Sequence, residues 1–295
     1  MAKTDKNNEP GAGCLYLVAT PIGNLEDITL RALRVLKAAD VIACAATRQT
    51  MKLLAHFDIQ KRLVSYHEHN EMTRAAEIVI DLEQGAKVAL VSDAGTPVVS
   101  DPGHHLVSLC LRHGIRVVPV PGASAFVAAL AASGMPIEEF AFIGFLPSRQ
   151  TERRKSLREL KEEKRTVVLY EAPHRLLDTL EDGLEILGDR PVVIAREVTK
   201  LYEEFLRGRI KTLLGDLRKK APRGEITLLI GPADAAATQA ESAGESASAV
   251  PLAQRVEEIS LERGVDTKSA LKVAARERGL TRREAYKQLL ITRGE

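Results

Sequence analysis

Short runs of β-branched and aliphatic residues alternate along this chain with stretches whose apolar positions recur every three or four residues, and Gly/Pro turns separate the two. The pattern predicts a strand over Leu15–Ala19, a turn at 21–24, and a helix over Leu25–Ala38 with apolar positions 28, 30, 32, 33, 35 and 36, capped by Asn24. Strand Val41–Cys44, helix Thr50–Phe57, strand Leu63–Ser65 and helix Glu71–Gln84 follow. Val88–Ser92 is a continuous apolar run with no polar face, as expected of a parallel strand covered on both sides. Helix Pro102–His113, strand Val117–Val120 and the Ala- and Ser-rich helix Ala123–Ser133 complete a first α/β domain, expected over residues 14–139 with a mostly parallel sheet.

A second α/β domain is expected over residues 140–232. It holds a charged helix over Thr151–Lys164, strand Thr166–Tyr170, helix His174–Leu187, strands Pro191–Arg196 and Tyr202–Arg209, helix Lys211–Lys219 and strand Glu225–Ile230. Residues 233–250 lack aromatic and, before Val250, large aliphatic residues, which is linker composition, and residues 1–13 read as a disordered tail. Apolar periodicity resumes over 251–295 as three short helices near 252–262, 267–278 and 281–291, with Asp266, Thr267 and Thr281 as N-caps. This segment carries ten Arg/Lys against seven Asp/Glu, the excess gathered near the last helix. A basic nucleic-acid reader and a solvated, salt-bridged bundle fit that charge equally well.

Composition narrows the picture. With 295 residues, 45% hydrophobic and 28% charged, the chain is globular, and its formal net charge of +2 is silent on a nucleic-acid partner. The three cysteines, Cys14, Cys44 and Cys110, are far apart in apolar runs, so buried thiols are expected rather than disulfides or a zinc site. No apolar signal core opens the chain, and the uncharged stretch 117–137 is broken by Pro and Gly, so a soluble cytoplasmic protein is expected. His67 and His69 have no third ligand at metal-binding spacing, and no metal is expected.

Candidate chemistry gathers where strands end. Ser92–Pro97 follows the buried strand, and the turn over 121–125 repeats the same logic after the next one. Small residues there bring backbone groups to a ligand without side-chain obstruction, although neither turn is a dinucleotide or triphosphate loop. In the second domain, residues 170–175 and 196–200 place charged groups at strand ends, candidates for a cleft facing the first domain. Taken singly, the turn at 92–97 reads equally as a structural turn, and either second-domain segment reads better as a surface loop with a helix cap. The pairing is what points to a pocket.

Together, the segments LYLVATPIGNLEDITLRALRVLKAADVI, VSDAGTPVVSDPG, VPVPGASAFVAALAASG, FIGFLP, YEAPHRL and REVTK closely resemble the ribosomal RNA small-subunit (cytidine-2′-O)-methyltransferase branch, the RsmI type, of the tetrapyrrole methylase superfamily. The likeness runs from about Cys14 to Gly231, and the final segment resembles the C-terminal module of that branch. It implies two α/β domains with a cleft between them plus a small helical module, S-adenosylmethionine as cofactor, a homodimer, and methyl transfer to a cytidine ribose of 16S ribosomal RNA near the decoding centre. The cofactor would lie against Asp93, Ala94, Gly95, Val98, Ser124, Ala125, Tyr170, Gly224 and Glu225. Glu197 or Glu171 would take the hydroxyl proton, Lys200, Arg175 or Arg48 would hold phosphates, and Arg175, Arg282, Arg283 and Lys287 would contact RNA.

One departure stands out: family members read Glu-Asp-Thr-Arg where this chain has Ala45-Ala46-Thr47-Arg48. If the missing acids assist proton removal or orient Arg48, turnover is impaired; if they only cap a helix, the loss costs about 1 kcal/mol. Two rival functions share parts of the pattern. A methylase of a tetrapyrrole precursor has no need of the basic tail, and a non-catalytic nucleic-acid-binding regulator would bind without methyl transfer.

Overall fold

The computed structural model describes residues 13–219, 222–233 and 251–277, together with 280, 281, 284–286 and 289. The chain forms two compact units, one reaching to Gly231 and one beginning at Pro232. Nearly all of the expected N-terminal tail and linker lie outside the described residues.

The first unit is built on two five-stranded sheets. In the first, β1 (Cys14–Val18), β2 (Val41–Cys44), β3 (Arg62–Ser65), β4 (Lys87–Val91) and β5 (Arg116–Val120) lie in the order β3-β2-β4-β1-β5, all parallel. The crossovers are α1 (Leu30–Ala38), α2 (Thr47–His56), α3 (Glu71–Glu83) and α4 (His104–Arg112), and α5 (Ala125–Ala131) leaves the last strand. Leu15, Val88 and Leu90 are buried against one layer of helices and Val18, Ile42 and Ala89 against the other, which is why β4 reads as a run with no polar face. The three cysteines are buried free thiols.

The second sheet is mixed. Strands β6 (Phe140–Phe145), β7 (Thr166–Glu171), β8 (Pro191–Arg196), β9 (Glu204–Arg209) and β10 (Ile226–Ile230) take the order β6-β7-β10-β8-β9, with only the β6–β7 pair parallel. Helices α6 (Gln150–Glu159), α7 (Leu176–Leu187) and α8 (Ile210–Leu217) cover one face. The buried Arg153 donates from Nε to Asp182 Oδ2 at 2.8 Å and ties α6 to α7. On the other face α5 packs Ala129 and Leu130 against Val168, Val193 and Leu229, so a helix from the first half completes the core of the second.

Several boundaries differ from the sequence reading. The helix expected over 25–38 is broken at Ile28, whose backbone is extended: Asn24 caps only a 3₁₀ turn at Leu25–Asp27, while Thr29 accepts from the Ala32 amide at 3.0 Å and caps α1. Strand β6 was not expected, because a bulge between Phe142 and Gly144 shifts the side-chain alternation. Helix α4 starts two residues later than expected, after Gly103 at φ 138°, and α6 ends five residues earlier.

In the second unit, α9 (Leu252–Arg263) and α10 (Thr267–Glu277) pack Val256 and Ile259 against Ala270, Leu271 and Ala274. Asp266 accepts from the Ser269 amide at 2.9 Å and caps α10. Thr281, the N-cap the sequence suggested, forms a reciprocal capping box with Glu284, although most of the third expected helix lies outside the described residues.

At the start of α2, Ala46 occupies the N-cap with extended backbone and no side-chain acceptor. Ala46→Ser supplies that acceptor without adding charge. Calorimetry is expected to show a gain of about 1 kcal/mol, or a Tm higher by about 2–4 °C; an unchanged Tm would mean that other groups already satisfy the first turn.

Candidate active site

Strand ends from both sheets meet around a cavity of about 410 Å³, a size suited to a small-molecule ligand. The first sheet contributes the loop after β4, from Asp93 to Asp101, and the turn into α5 at Ser124 and Ala125. The second contributes Tyr170–Pro173 at the end of β7, Val198 after β8, and Gly224–Thr227 at the start of β10. Because β10 runs antiparallel to β7 and β8, with Ile226 opposite both Glu171 and Arg196, its first residues lie beside their last.

Backbone contacts fix the first wall. Thr20 and Gly95 exchange both main-chain hydrogen bonds at 2.9 and 3.0 Å, and Thr96 Oγ1 donates to the Ala123 carbonyl at 3.2 Å. Val98 and Ser100 sit in the left-handed region at φ 75° and 60°, a conformation costly for a β-branched residue. With that twist the Val98 side chain turns under Gly103 towards the first-sheet core, and Val99 is the neighbour that lines the cavity.

The second wall is held by charge. Glu171 has its carboxylate buried: Oε1 accepts from the Ala172 amide at 2.8 Å, Oε2 accepts from Thr179 Oγ1 at 2.6 Å, and Arg175 Nε lies 3.4 Å away. Arg175 also donates to the carbonyls of Leu146 and Pro147 at 2.7 and 3.1 Å. Both side chains are therefore engaged inside the second half, while Glu171 also lines the cavity. Glu197, at φ 52°, accepts from Lys200 Nζ at 2.8 Å and from the Glu225 amide at 2.9 Å, and Lys200 also reaches Glu225 Oε2 at 3.1 Å. The Lys200 hydrogen bond outweighs burial and holds the Glu197 carboxyl below the usual range. Burial opposes the charge on Lys200, but its bonds to Glu197 and Glu225 raise the ammonium above its usual value.

Tyr170 is packed by Phe142 and Phe145, at ring-centroid distances of 5.2 and 5.5 Å, and burial raises its phenol. Asp93 accepts from the Ala46 amide at 2.9 Å, which sets the uncapped start of α2 beside the cavity, with Arg48 exposed in its first turn and outside the lining. Asp101, which the sequence reading did not single out, lines the cavity half-buried; burial, then the charge of Asp93, push its carboxyl up to about 6. Arg282, Arg283 and Lys287 lie outside the described residues. Of the expected cofactor residues, Asp93, Ala94, Gly95, Ser124, Ala125, Tyr170, Gly224 and Glu225 all line this one cavity. Among the described residues there is no group of three or more His, Cys, Asp or Glu suited to a metal ion, and no helix long and apolar enough to cross a membrane.

The pattern of the family described as Tetrapyrrole (Corrin/Porphyrin) Methylases matches residues 14–214. The chain belongs to the tetrapyrrole methylase family. Within this family it is 52% identical over 275 residues, 93% of either chain, to "Ribosomal RNA small subunit methyltransferase I" of Halalkalibacterium halodurans. It is 53% identical over 218 residues to the protein of the same name from Thermotoga maritima, covering 74% of this chain and 98% of that one. A solved tetrapyrrole methylase, uroporphyrin-III C-methyltransferase of Thermus thermophilus complexed with S-adenosyl homocysteine, superposes with a TM-score of 0.53 at 21% identity, over 75% of this chain and 98% of that one. The fold class read from the sequence is thus borne out.

Because pairing lowers the Glu197 carboxyl, the stabilisation it gives is present above the usual carboxylate range and is lost as pH falls through its folded value. Lys200→Met keeps the apolar stem and removes the ammonium. Thermal melts should show a lower Tm at neutral pH and a difference that fades below about pH 4; a difference independent of pH would assign the contribution of Lys200 to packing alone.

Proposed function

We propose that this chain is an S-adenosylmethionine-dependent methyltransferase that methylates a cytidine ribose 2′-oxygen of 16S ribosomal RNA near the decoding centre. The observation that carries the reading is the single cavity into which both sheets turn small-residue strand ends, in a chain that matches named ribosomal RNA methyltransferases over most of its length. The cavity suits an adenosyl sulfonium in size and chemistry. Ala94, Gly95, Ser124, Ala125 and Gly224 leave main-chain groups accessible, Ile22, Val198 and Ile226 offer apolar contact, and Tyr170 gives a flat wall. When bound, the sulfonium supplies an electrophilic methyl group that needs no metal to activate it.

The protein's own task is to hold the hydroxyl in line and to accept its proton. Glu171 and Arg175 are positioning residues that fix the loop after β7, and Lys200 clamps the start of β10 through Glu225 while its bond to Glu197 fixes the loop after β8. Arg48, exposed beside the Asp93 wall, is the phosphate contact, joined by Arg282, Arg283 and Lys287 of the tail. A ribosomal substrate implies the cytoplasm. A homodimer is supported by β6, an edge strand that leaves Phe140 and Ile143 exposed, the kind of edge a second copy covers. Methylation of a tetrapyrrole carbon is the second reading, favoured by the solved likeness; the relatives at about half identity favour RNA. The Thermotoga maritima relative, nearly all of which is matched by 218 residues, is too short to hold both this two-sheet unit and a tail, so the tail adjusts RNA affinity rather than the chemistry.

Labelled S-adenosylmethionine incubated with small ribosomal subunits lacking native modification should yield label on a cytidine 2′-oxygen. Label on a porphyrinogen precursor and none on RNA would overturn the reading. In the same assay, Arg282→Gln with Arg283→Gln and Lys287→Gln should leave cofactor affinity unchanged and flatten the salt dependence of RNA binding by about 0.7 per lost phosphate contact. An unchanged slope would remove the tail from the RNA interface.

A further inference from the structure

Helices α1 and α2 cover the same face of the parallel sheet: Ala32 and Leu36 of the first and Leu54 of the second are buried in one cluster with Val18, Ile42 and Ala89. Neither helix carries an acidic residue. Their exposed positions include Arg31, Arg34 and Lys37 on α1 and Arg48, Lys52 and His56 on α2. A spacing of three or four residues aligns these groups along each helix, over about 12 Å from Arg48 to His56. Arg31 donates to the Pro119 carbonyl, and among the described residues no carboxylate forms an ion pair with any of the six.

Acids stand only at the ends of these helices. Glu26 and Asp27 precede α1, Asp40 after it accepts from the Lys87 amide at 2.8 Å, and Asp58 follows α2. The other helical layer differs: α3 sets Glu71, Glu77, Asp81 and Glu83 against Arg74, which is itself paired to Glu77. The net charge of +2 conceals this division. Like charges three and four residues apart on a helix repel one another, so folding does not account for the arrangement, whereas a polyanionic partner does.

Placement identifies the polyanion. Both helices begin at the carboxyl edge of the sheet: Ile22, ahead of α1, lines the cavity, and the Ala46 amide at the start of α2 bonds to Asp93 of its wall. The cationic stripes therefore start beside the cavity and run away from it along the outer face. A small substrate held in the cavity does not extend along them, but a nucleic-acid strand does. Met51, 57% exposed on α2, adds an adaptable apolar surface for a base.

We propose that the α1–α2 face is an RNA-backbone surface, which grips phosphates of the strand flanking the nucleotide that is methylated. The proposal rests on the methyltransferase reading above and deepens it. Arg48 is the end of the surface nearest the reacting groups, and Arg34, Lys37 and Lys52 extend it. Contacts of this kind fix the register of the substrate without reading its sequence.

The test is Arg34→Gln with Lys37→Gln and Lys52→Gln in the full chain, measured against 16S ribosomal RNA and against small ribosomal subunits lacking native modification. The slope of log affinity against log salt should flatten by about 2 for both, at about 0.7 per lost phosphate contact. Single-turnover labelling should fall at subsaturating subunits, with the saturated rate and the Kd for S-adenosylhomocysteine within about threefold of the parent. The Tm should equal or exceed that of the parent, because like charges are removed. Arg34→Lys with Lys37→Arg and Lys52→Arg should keep the parental slope. An unchanged slope in a parent that methylates RNA would overturn the surface and leave the methyltransferase reading standing. So would an equal flattening by Arg112→Gln with Lys155→Gln and Arg158→Gln, which removes the same charge elsewhere. A lower Tm would show that the fold itself uses these cations, and flattening with subunits but not with RNA alone would assign the face to a ribosomal protein; either result overturns the proposal. If the parent binds S-adenosylhomocysteine but transfers no label to RNA, the reading falls and the proposal with it.

Discussion

The stem of Lys200, from the second half of the two-sheet unit, crosses Gly23 of the first half so closely that a side chain at Gly23 has no room. The reverse contact is made at Gly144, where the first half lodges Ser100 against the β6 bulge of the second. Each half thus keeps a glycine where the other lands. These two contacts flank the cavity, and helix α5 adds a third tie by completing the core behind β7, β8 and β10. The distance between the walls, and hence the shape of the site, depends on these interlocks more than on either sheet alone.

Of the five non-glycine left-handed residues among those described, four, Val98, Ser100, Glu197 and Thr199, fall on the two loops that these contacts clamp. The packing that joins the halves holds these loops in place and so sustains the strain. That coupling explains why carboxylates close in sequence or space differ so much in character. Glu197 is held ionised by Lys200, Glu171 is locked to its own loop, and Asp101 is left half-buried beside Asp93 without a donor. Chemistry at the site is set by these environments rather than by residue type.

Much of this was legible in the sequence. The apolar run at Val88 and the small-residue turns after β4 and β5 pointed to a parallel sheet with a ligand at its strand ends, and the six family-like segments identified the fold. What escaped depends on non-local contacts. Asn24 has the chemistry of a cap, but Thr29 closes the α1 turn because Ile28 is extended. The register of β6 is hidden by a bulge that exists to receive Ser100. Val98 and Val99 exchange faces because of a single left-handed residue, and Asp101 reads locally as the entry to a helix, since nothing near it in sequence reveals that its partners are absent. Glu171, charged and at a strand end, does line the cavity, but only the structure reveals that Thr179 holds its carboxylate and that Arg175 is turned to the Leu146 carbonyl.

The central claim is that both halves close on one adenosyl ligand. Amide hydrogen exchange of the full chain with and without S-adenosylhomocysteine measures this directly. The account predicts added protection in both walls together, over residues 93–101 and 123–126 from the first sheet and 170–173, 196–200 and 224–227 from the second. Protection confined to one wall, or none at saturating ligand, would contradict it.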